Sequence, residues 1–155
     1  MTPHQQAFMD AYLSTLSAAD RSAIPQRVAE HFCADEANAN ECARLIAAGI
    51  KRASCSLLAG YEQANEPLPR VGRLCLVLNW AQQPICIVRL TEVSICPFEA
   101  VDAAFAAAEG EGDGSLGWWR DAHVAFFTAF AADVGVSFCE QSELVLEYFE
   151  KVYPL

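Results

Sequence analysis

The sequence predicts an α+β domain: a small, mostly antiparallel β-sheet or barrel with helices inserted between its strands. Three observations predict it. Apolar residues recur at helical spacing before residue 50 and again after Pro97. Between them lie three runs with strand texture, "RASCSLL", "RLCLVLNW" and "ICIVRLTEVSIC". Only a short "QQP" turn separates the last two, which is too short for a parallel crossover, so they should pair antiparallel.

The elements follow in order. Phe8, Tyr12, Leu13 and Leu16 share one face of a first helix. "RSAIPQRV" interrupts that pattern, and Pro25 suits the first turn of a short second helix, Gln26 to Phe32. "ANECARLIAAG" reads as a third helix, with Cys42, Leu45 and Ile46 inward and Gly49 as its stop. "RASCSLL" alternates as a half-buried strand does, and "NEPLPRVG" is a loop. "RLCLVLNW" is a nearly continuous apolar strand, and "ICIVRLTEVSIC" a long one. Pro97 should open a helix carrying Phe98, Val101, Phe105 and Ala108 on one stripe. "EGEGDGS" breaks it. "LGWWRDAHVAFFTAFAADVG" is a stronger helix, with Trp119, Phe126, Phe127 and Phe130 as core candidates. "ELVLEYFEKVY" fits helix or strand, and its β-branched and aromatic content tilts it to a closing strand.

Composition narrows the class. With 155 residues, 54% hydrophobic and 19% charged, the chain can build a core and is not disordered throughout. No apolar run approaches the roughly 18–20 residues of a membrane span. "MTPHQQAFMDAYL" lacks the basic and apolar regions of a signal peptide. A soluble, cytoplasmic protein is expected. The seven cysteines include no C-x-x-C pair, so free thiols in a reducing compartment are expected. Cys33 with His31 is the only close Cys/His pair, and neither a metal nor a cofactor is expected.

The net charge of −10 argues against loose binding of DNA or other polyanions. The charge is uneven, however. Residues 44–89 hold Arg44, Lys51, Arg52, Arg70, Arg73 and Arg89 against Glu62 and Glu66, whereas 92–155 hold twelve acids against Arg120 and Lys151. An anion-facing patch and scattered solvation of strand ends both fit this asymmetry.

"LIAAGIKRASCSL" carries G-x-K-x-x-S, and it is followed in order by V-G, T-E-V, E-G-E-G-D and W-R-x-x-H. This series resembles the ASCH superfamily, a branch of PUA-like β-barrels, and in particular its longer bacterial members. The resemblance covers roughly residues 37–155 and leaves 1–36 as an N-terminal helical extension. It implies a PUA-like barrel and a site facing a nucleoside or RNA. Small ASCH proteins include amidohydrolases that deacetylate N4-acetylcytidine with a lysine, a threonine and a glutamate. The resemblance places these on Lys51, Ser54 and Glu109. An arginine that the amidohydrolases carry two positions past the threonine is Ser56 here, which implies a different substrate clamp.

The residue chemistry runs alongside. Lysine can act as base for a hydroxyl if its pKa falls toward neutrality, which the adjacent Arg52 could promote. Lys51 could equally cap the end of the preceding helix. Lys51 and Ser54 are three apart, so they share a face only if Lys51 still lies in the turn after Gly49. Glu109 could protonate a leaving amine, with Glu111 and Asp113 as rivals in the same loop. Arg120 and His123 are three apart on one helix face and could enter the same cleft. Trp118 could stack on a base while Trp119 packs in the core, or the reverse. Glu92 and Ser94 alternate onto one strand face.

The expected cleft lies where the Gly49–Ser54 turn meets the Glu109 loop and the Arg120–His123 face. Three functions fit: hydrolysis of a modified nucleoside or RNA base, most concretely N4-acylcytidine deacylation; metal-independent cleavage of single-stranded RNA; or RNA or nucleotide binding without chemistry. The N-terminal apolar face leaves monomer and homodimer both open.

Overall fold

The computed structural model describes all residues, 1–155. Its strands are β1 (Arg27–Glu30), β2 (Ala53–Leu57), β3 (Leu74–Leu78), β4 (Pro84–Pro97) and β5 (Glu143–Tyr153). Its α-helices are α1 (Pro3–Leu13), α2 (Ala18–Ala23), α3 (Glu36–Ala47), α4 (Leu58–Ala64), α5 (Ala103–Glu109) and α6 (Leu116–Val134). The strands hydrogen-bond in the order β1-β3-β4-β5-β2. The five-stranded sheet is therefore not closed: β1 and β2 are its edges, and the expected barrel is replaced by an open sheet. No helix is long and apolar enough to cross a membrane.

The chain divides into two compact units, one of residues 1–51, 70–91 and 149–155, the other of 52–69 and 92–148. In the first unit, α1 begins with a capping box in which Thr2 and Gln5 exchange side-chain and backbone hydrogen bonds. Met9, Tyr12 and Leu13 of α1 pack on Leu74, Leu76 and Leu78 of β3 and Ile87 of β4. All five residues of β3 are buried, which explains its unbroken apolar sequence. β3 pairs antiparallel with β4, as the short turn requires. Asp35 caps α3 through Asn38, and that hydrogen bond holds its carboxyl below the usual carboxylate range. Ala39, Cys42, Ala43, Leu45 and Ile46 form the buried face of α3. Gly49, at φ 73°, ends the helix as the sequence predicts.

The segment expected as a helix from Gln26 to Phe32 is instead strand β1, paired parallel with β3 from Arg27↔Leu74 to Glu30↔Val77. So short a segment gains little from isolated helical hydrogen bonds. The free edge of β3 offers its backbone a complete set of partners, beginning with Leu74 N–H to the Gln26 carbonyl at 3.0 Å.

In the second unit, Ala53 and Leu57 of β2 and Leu144 and Leu146 of β5 face a core with Phe98, Phe105, Trp119 and Phe127. β2 and β5 pair antiparallel from Ala53↔Tyr148 to Leu57↔Leu144, which resolves the tail as a strand. Pro97 does not open the next α-helix. A 3-10 turn spans Phe98–Ala100, and α5 starts only at Ala103, where Asp102 accepts from Phe105 N–H at 2.8 Å. Helix α4, directly after β2, carries no strong sequence signal. On α6, Trp119 and Phe127 are buried and Phe130 is partly buried, but Phe126 is 40% exposed, contrary to its expected core position. It lies beside Phe127 in sequence, one position off the buried stripe.

Leu76 has no exposed surface. Leu76→Ala should cost about 2–5 kcal/mol, read as a lower midpoint in urea unfolding with little change in slope.

Candidate functional site

Three charged residues are buried: Lys51, Glu109 and Glu147. Burial of an ionisable side chain is costly unless partners compensate, so these positions carry information. Glu109 is the last residue of α5 and is 1% exposed. The helix stops there because Gly110 takes up φ 64°. A glycine-rich turn follows, and Ser115 caps α6 by accepting from Trp118 N–H at 3.1 Å. Within the turn, Asp113 accepts from Ser115 N–H at 2.8 Å, and its hydrogen bonds with the Ser115 side chain and backbone lower its carboxyl pKa. Asp113 therefore serves the turn.

The first turns of α6 supply two partners to Glu109. Trp119 Nε1–H donates to Glu109 Oε2 at 2.5 Å. His123 Nε2 lies 3.0 Å from the same oxygen. The other imidazole nitrogen, Nδ1, is 2.7 Å from the Trp119 carbonyl oxygen. A carbonyl only accepts, so Nδ1 must carry a proton. Nε2 and Oε2 then need one proton between them, since without it two lone pairs would face each other. That proton sits either on the imidazole, giving an imidazolium–carboxylate pair, or on the carboxyl. The Trp119 and His123 rings stack at 4.2 Å with 18° between planes, which fixes the imidazole orientation. Phe98 stacks at 5.3 Å from Trp119 and anchors it in the core.

Cys55, on β2, completes this cluster. Its sulfur, a Glu109 carboxylate oxygen and a His123 ring nitrogen all lie within 4.8 Å of one another. This donor set is compact enough for one divalent ion, but Glu109 and His123 already use their donors on each other and on Trp119.

Strand alternation separates Cys55 from Ser54. Cys55 packs with the core that contains Trp119, on the face of Ala53 and Leu57. Ser54 belongs to the other face, where the register sets it opposite the buried Glu147. The expected grouping of Ser54 with Glu109 is thus not what β2 delivers. Lys51 is 2% exposed, and its N–H donates to the Leu45 carbonyl at 3.2 Å, so it lies in the turn that closes α3. Arg52 is exposed, and its N–H donates to the Ala108 carbonyl at 2.7 Å, one residue before Glu109.

Arg120 does not join His123. Its Nη2 donates to the Glu99 carbonyl at 2.8 Å. Trp118 is 37% exposed, with its indole flat on the loop at Gly112. A Cβ there would lie 2.1 Å from the indole, so this loop geometry requires glycine. His31 and Cys33 do not form a metal pair: His31 packs on Trp80 and meets Gln82, whereas Cys33 lies beside Cys42. Glu92 and Ser94 are exposed. Sequence reasoning missed Cys55 and Glu147 as site residues and read Trp119 as a core residue or, in the reverse assignment, a platform for a base, not as a partner of Glu109. The one available signal for Glu147 is an acid inside the apolar run "LVLEYF".

An ASCH domain family model matches residues 28–153. The chain belongs to the ASCH domain family. Among solved structures, it is similar to an ASCH domain from Lactobacillus crispatus at 47% identity, covering 99% of this chain and 97% of that one, with a TM-score of 0.95. It is also similar to a protein from Enterococcus faecalis at 30% identity, covering 98% and 90%, with a TM-score of 0.84. A ZmASCH variant from Zymomonas mobilis shares the fold alone, at 12% identity and TM-score 0.50 over 85% of this chain and 74% of that one. No curated protein matches significantly. The family match begins inside β1, so this strand is part of the matched ASCH region.

Within this ASCH domain, Trp119→Phe keeps the ring stack but deletes the donor to Glu109. It should cost about 1.5–3 kcal/mol in chemical denaturation, because a buried charge-assisted hydrogen bond is lost.

Proposed function

We propose that this ASCH domain is a hydrolase acting on a modified nucleoside or RNA base, most concretely by deacylating N4-acylcytidine. The observation that carries the reading is the buried Glu109–His123 pair, with Nε2 3.0 Å from Oε2 and Nδ1 2.7 Å from the Trp119 carbonyl, a geometry that calls for one proton between Nε2 and Oε2. Such a pair can give a proton from Glu109 or take one up, with His123 as the reservoir. Amide hydrolysis needs both moves. Water adds to the acyl carbon and loses a proton; the carbon–N4 bond then breaks, and N4 leaves with a proton. The products are a carboxylic acid and cytidine.

Lys51 keeps, in this proposal, the base role that the G-x-K-x-x-S signature implies. Ser54 lies on the Glu147 face of β2 and takes no part in the proton transfer at Glu109. The exposed Trp118 indole offers a flat surface for a base. Arg52 is exposed and is the cation for a polar substituent, whereas Arg120 is occupied at Glu99. The acidic body, at −10 overall, favours a small ligand or a single exposed base over a long polyanion.

The test is chromatographic turnover of N4-acetylcytidine, with labelled single-stranded RNA in parallel. Wild type should release cytidine. Glu109→Gln and Lys51→Ala should each lower kcat/KM by roughly 10²–10⁴-fold, the usual range for an acid–base group. Nucleoside left intact while RNA is cut only with Lys51 present would replace this reading with a ribonuclease. Both substrates intact would leave binding without chemistry as the reading.

A further inference from the structure

Cys33 and Cys42 lie on different segments of the first unit. Cys33 sits in the link between β1 and α3, and Cys42 on the buried face of α3. Their sulfurs are 3.1 Å apart. That is about 1 Å longer than a covalent S–S bond, so a small rotation of either side chain would close it. Cys33 also holds φ at 70°, a left-handed conformation that side-chain-bearing residues rarely adopt. The link is bent sharply at the residue whose thiol meets α3. Strain of this kind persists where surrounding structure fixes it, and it often marks a site with a task.

The two thiols differ in access. Cys42 is 2% exposed, whereas Cys33 is half-buried and can meet a reagent from solvent. The remaining five thiols offer no such arrangement. Cys75 is buried in β3, with its sulfur 3.5 Å from Glu30 Oε1. Cys86 is buried in β4, and burial pushes its thiol up to about 11. Burial also raises the Cys96 thiol. Cys139 is exposed but lies against the Ser142 hydroxyl, and Cys55 faces Glu109 and His123.

We propose that Cys33 and Cys42 are a modification site, forming a reversible disulfide with low-molecular-weight disulfides such as glutathione disulfide as oxidant. The Cys33 thiolate attacks one glutathione sulfur, breaking that S–S bond and releasing one glutathione thiolate. Cys42, deprotonated, then attacks the Cys33 sulfur and releases the second glutathione. Two thiol protons and two electrons pass to glutathione, and one protein S–S bond forms. The bond ties the β1–α3 link to the helix that leads into Gly49 and Lys51. It sets the loop freedom before α3 by redox state, independently of the hydrolase reading.

The experiment equilibrates the full chain with graded ratios of oxidised to reduced glutathione. It then alkylates under denaturing conditions and reads intact mass and a peptide map. Reduced wild type should carry seven alkylated thiols, matching its cysteine content. Oxidised wild type and Cys139→Ser should each lose two thiols together, with one crosslinked peptide joining residues 33 and 42. Cys33→Ser and Cys42→Ser should form no internal crosslink. Cys33→Ser alters a half-buried position, so it keeps the test decisive if Cys42→Ser does not fold. Full alkylation of oxidised wild type, a stable glutathione adduct at Cys33 without a crosslink, or the same paired loss in Cys33→Ser would overturn the proposal.

Discussion

The carboxyl group of Glu109 has almost no contact with water, and the second compact unit is organised around that fact. A buried carboxyl needs donors in the right places. One arrives from the Trp119 indole and one interaction from His123, both on α6. Spacing of four residues sets these rings on one face of the helix, which lets them stack. The same spacing lets the His123 Nδ1–H reach the Trp119 carbonyl and fixes the tautomer. The turn from Gly110 to Ser115 has to bring α6 back against the end of α5 within a few residues. Its positive-φ glycines and the Trp118 indole resting on Gly112 accomplish this.

The sheet contributes by sorting side chains. One strand, β2, presents Cys55 to the Glu109–His123 pair and Ser54 to the opposite face. Its partner β5 does the same, with Leu146 opposite Cys55 and the buried Glu147 opposite Ser54. Two chemically distinct environments therefore lie one residue apart. Neighbouring polar residues in a motif acquire different surroundings as soon as the segment becomes a regular strand.

In the first unit the organising contact is apolar. α1 lies on β3 through Met9, Tyr12 and Leu13, and the aromatic edge of Phe8 meets Tyr153 at 5.3 Å. Because β3 is buried throughout, its free edge carries strong, water-shielded backbone groups. β1 satisfies them in parallel, although its own sequence of Arg27, Val28, Ala29 and Glu30 has only two small apolar residues at its centre. The link from β1 to α3 then passes through the left-handed Cys33 and brings its thiol to Cys42.

Elements whose signals are local were already legible in the chain. Periodicity marked α1, α3 and α6; Gly49 and the glycine-acid stretch marked helix ends; alternation marked β2, apolar texture marked β3 and β4, and β-branched and aromatic content tilted the ambiguous tail toward strand β5. The ordered series from G-x-K-x-x-S to W-R-x-x-H carried the family. Tertiary structure alone decided what depends on a partner distant in sequence. It made β1 a strand because an unpaired edge of β3 was available, and it left the sheet open with β1 and β2 at its edges. It joined Glu109 to Trp119 and His123, sent Arg120 to the Glu99 carbonyl, and put Ser54 and Cys55 on opposite faces. Local propensity acts within a few residues, whereas a buried charge or strand edge is satisfied by whichever group the folded chain brings beside it.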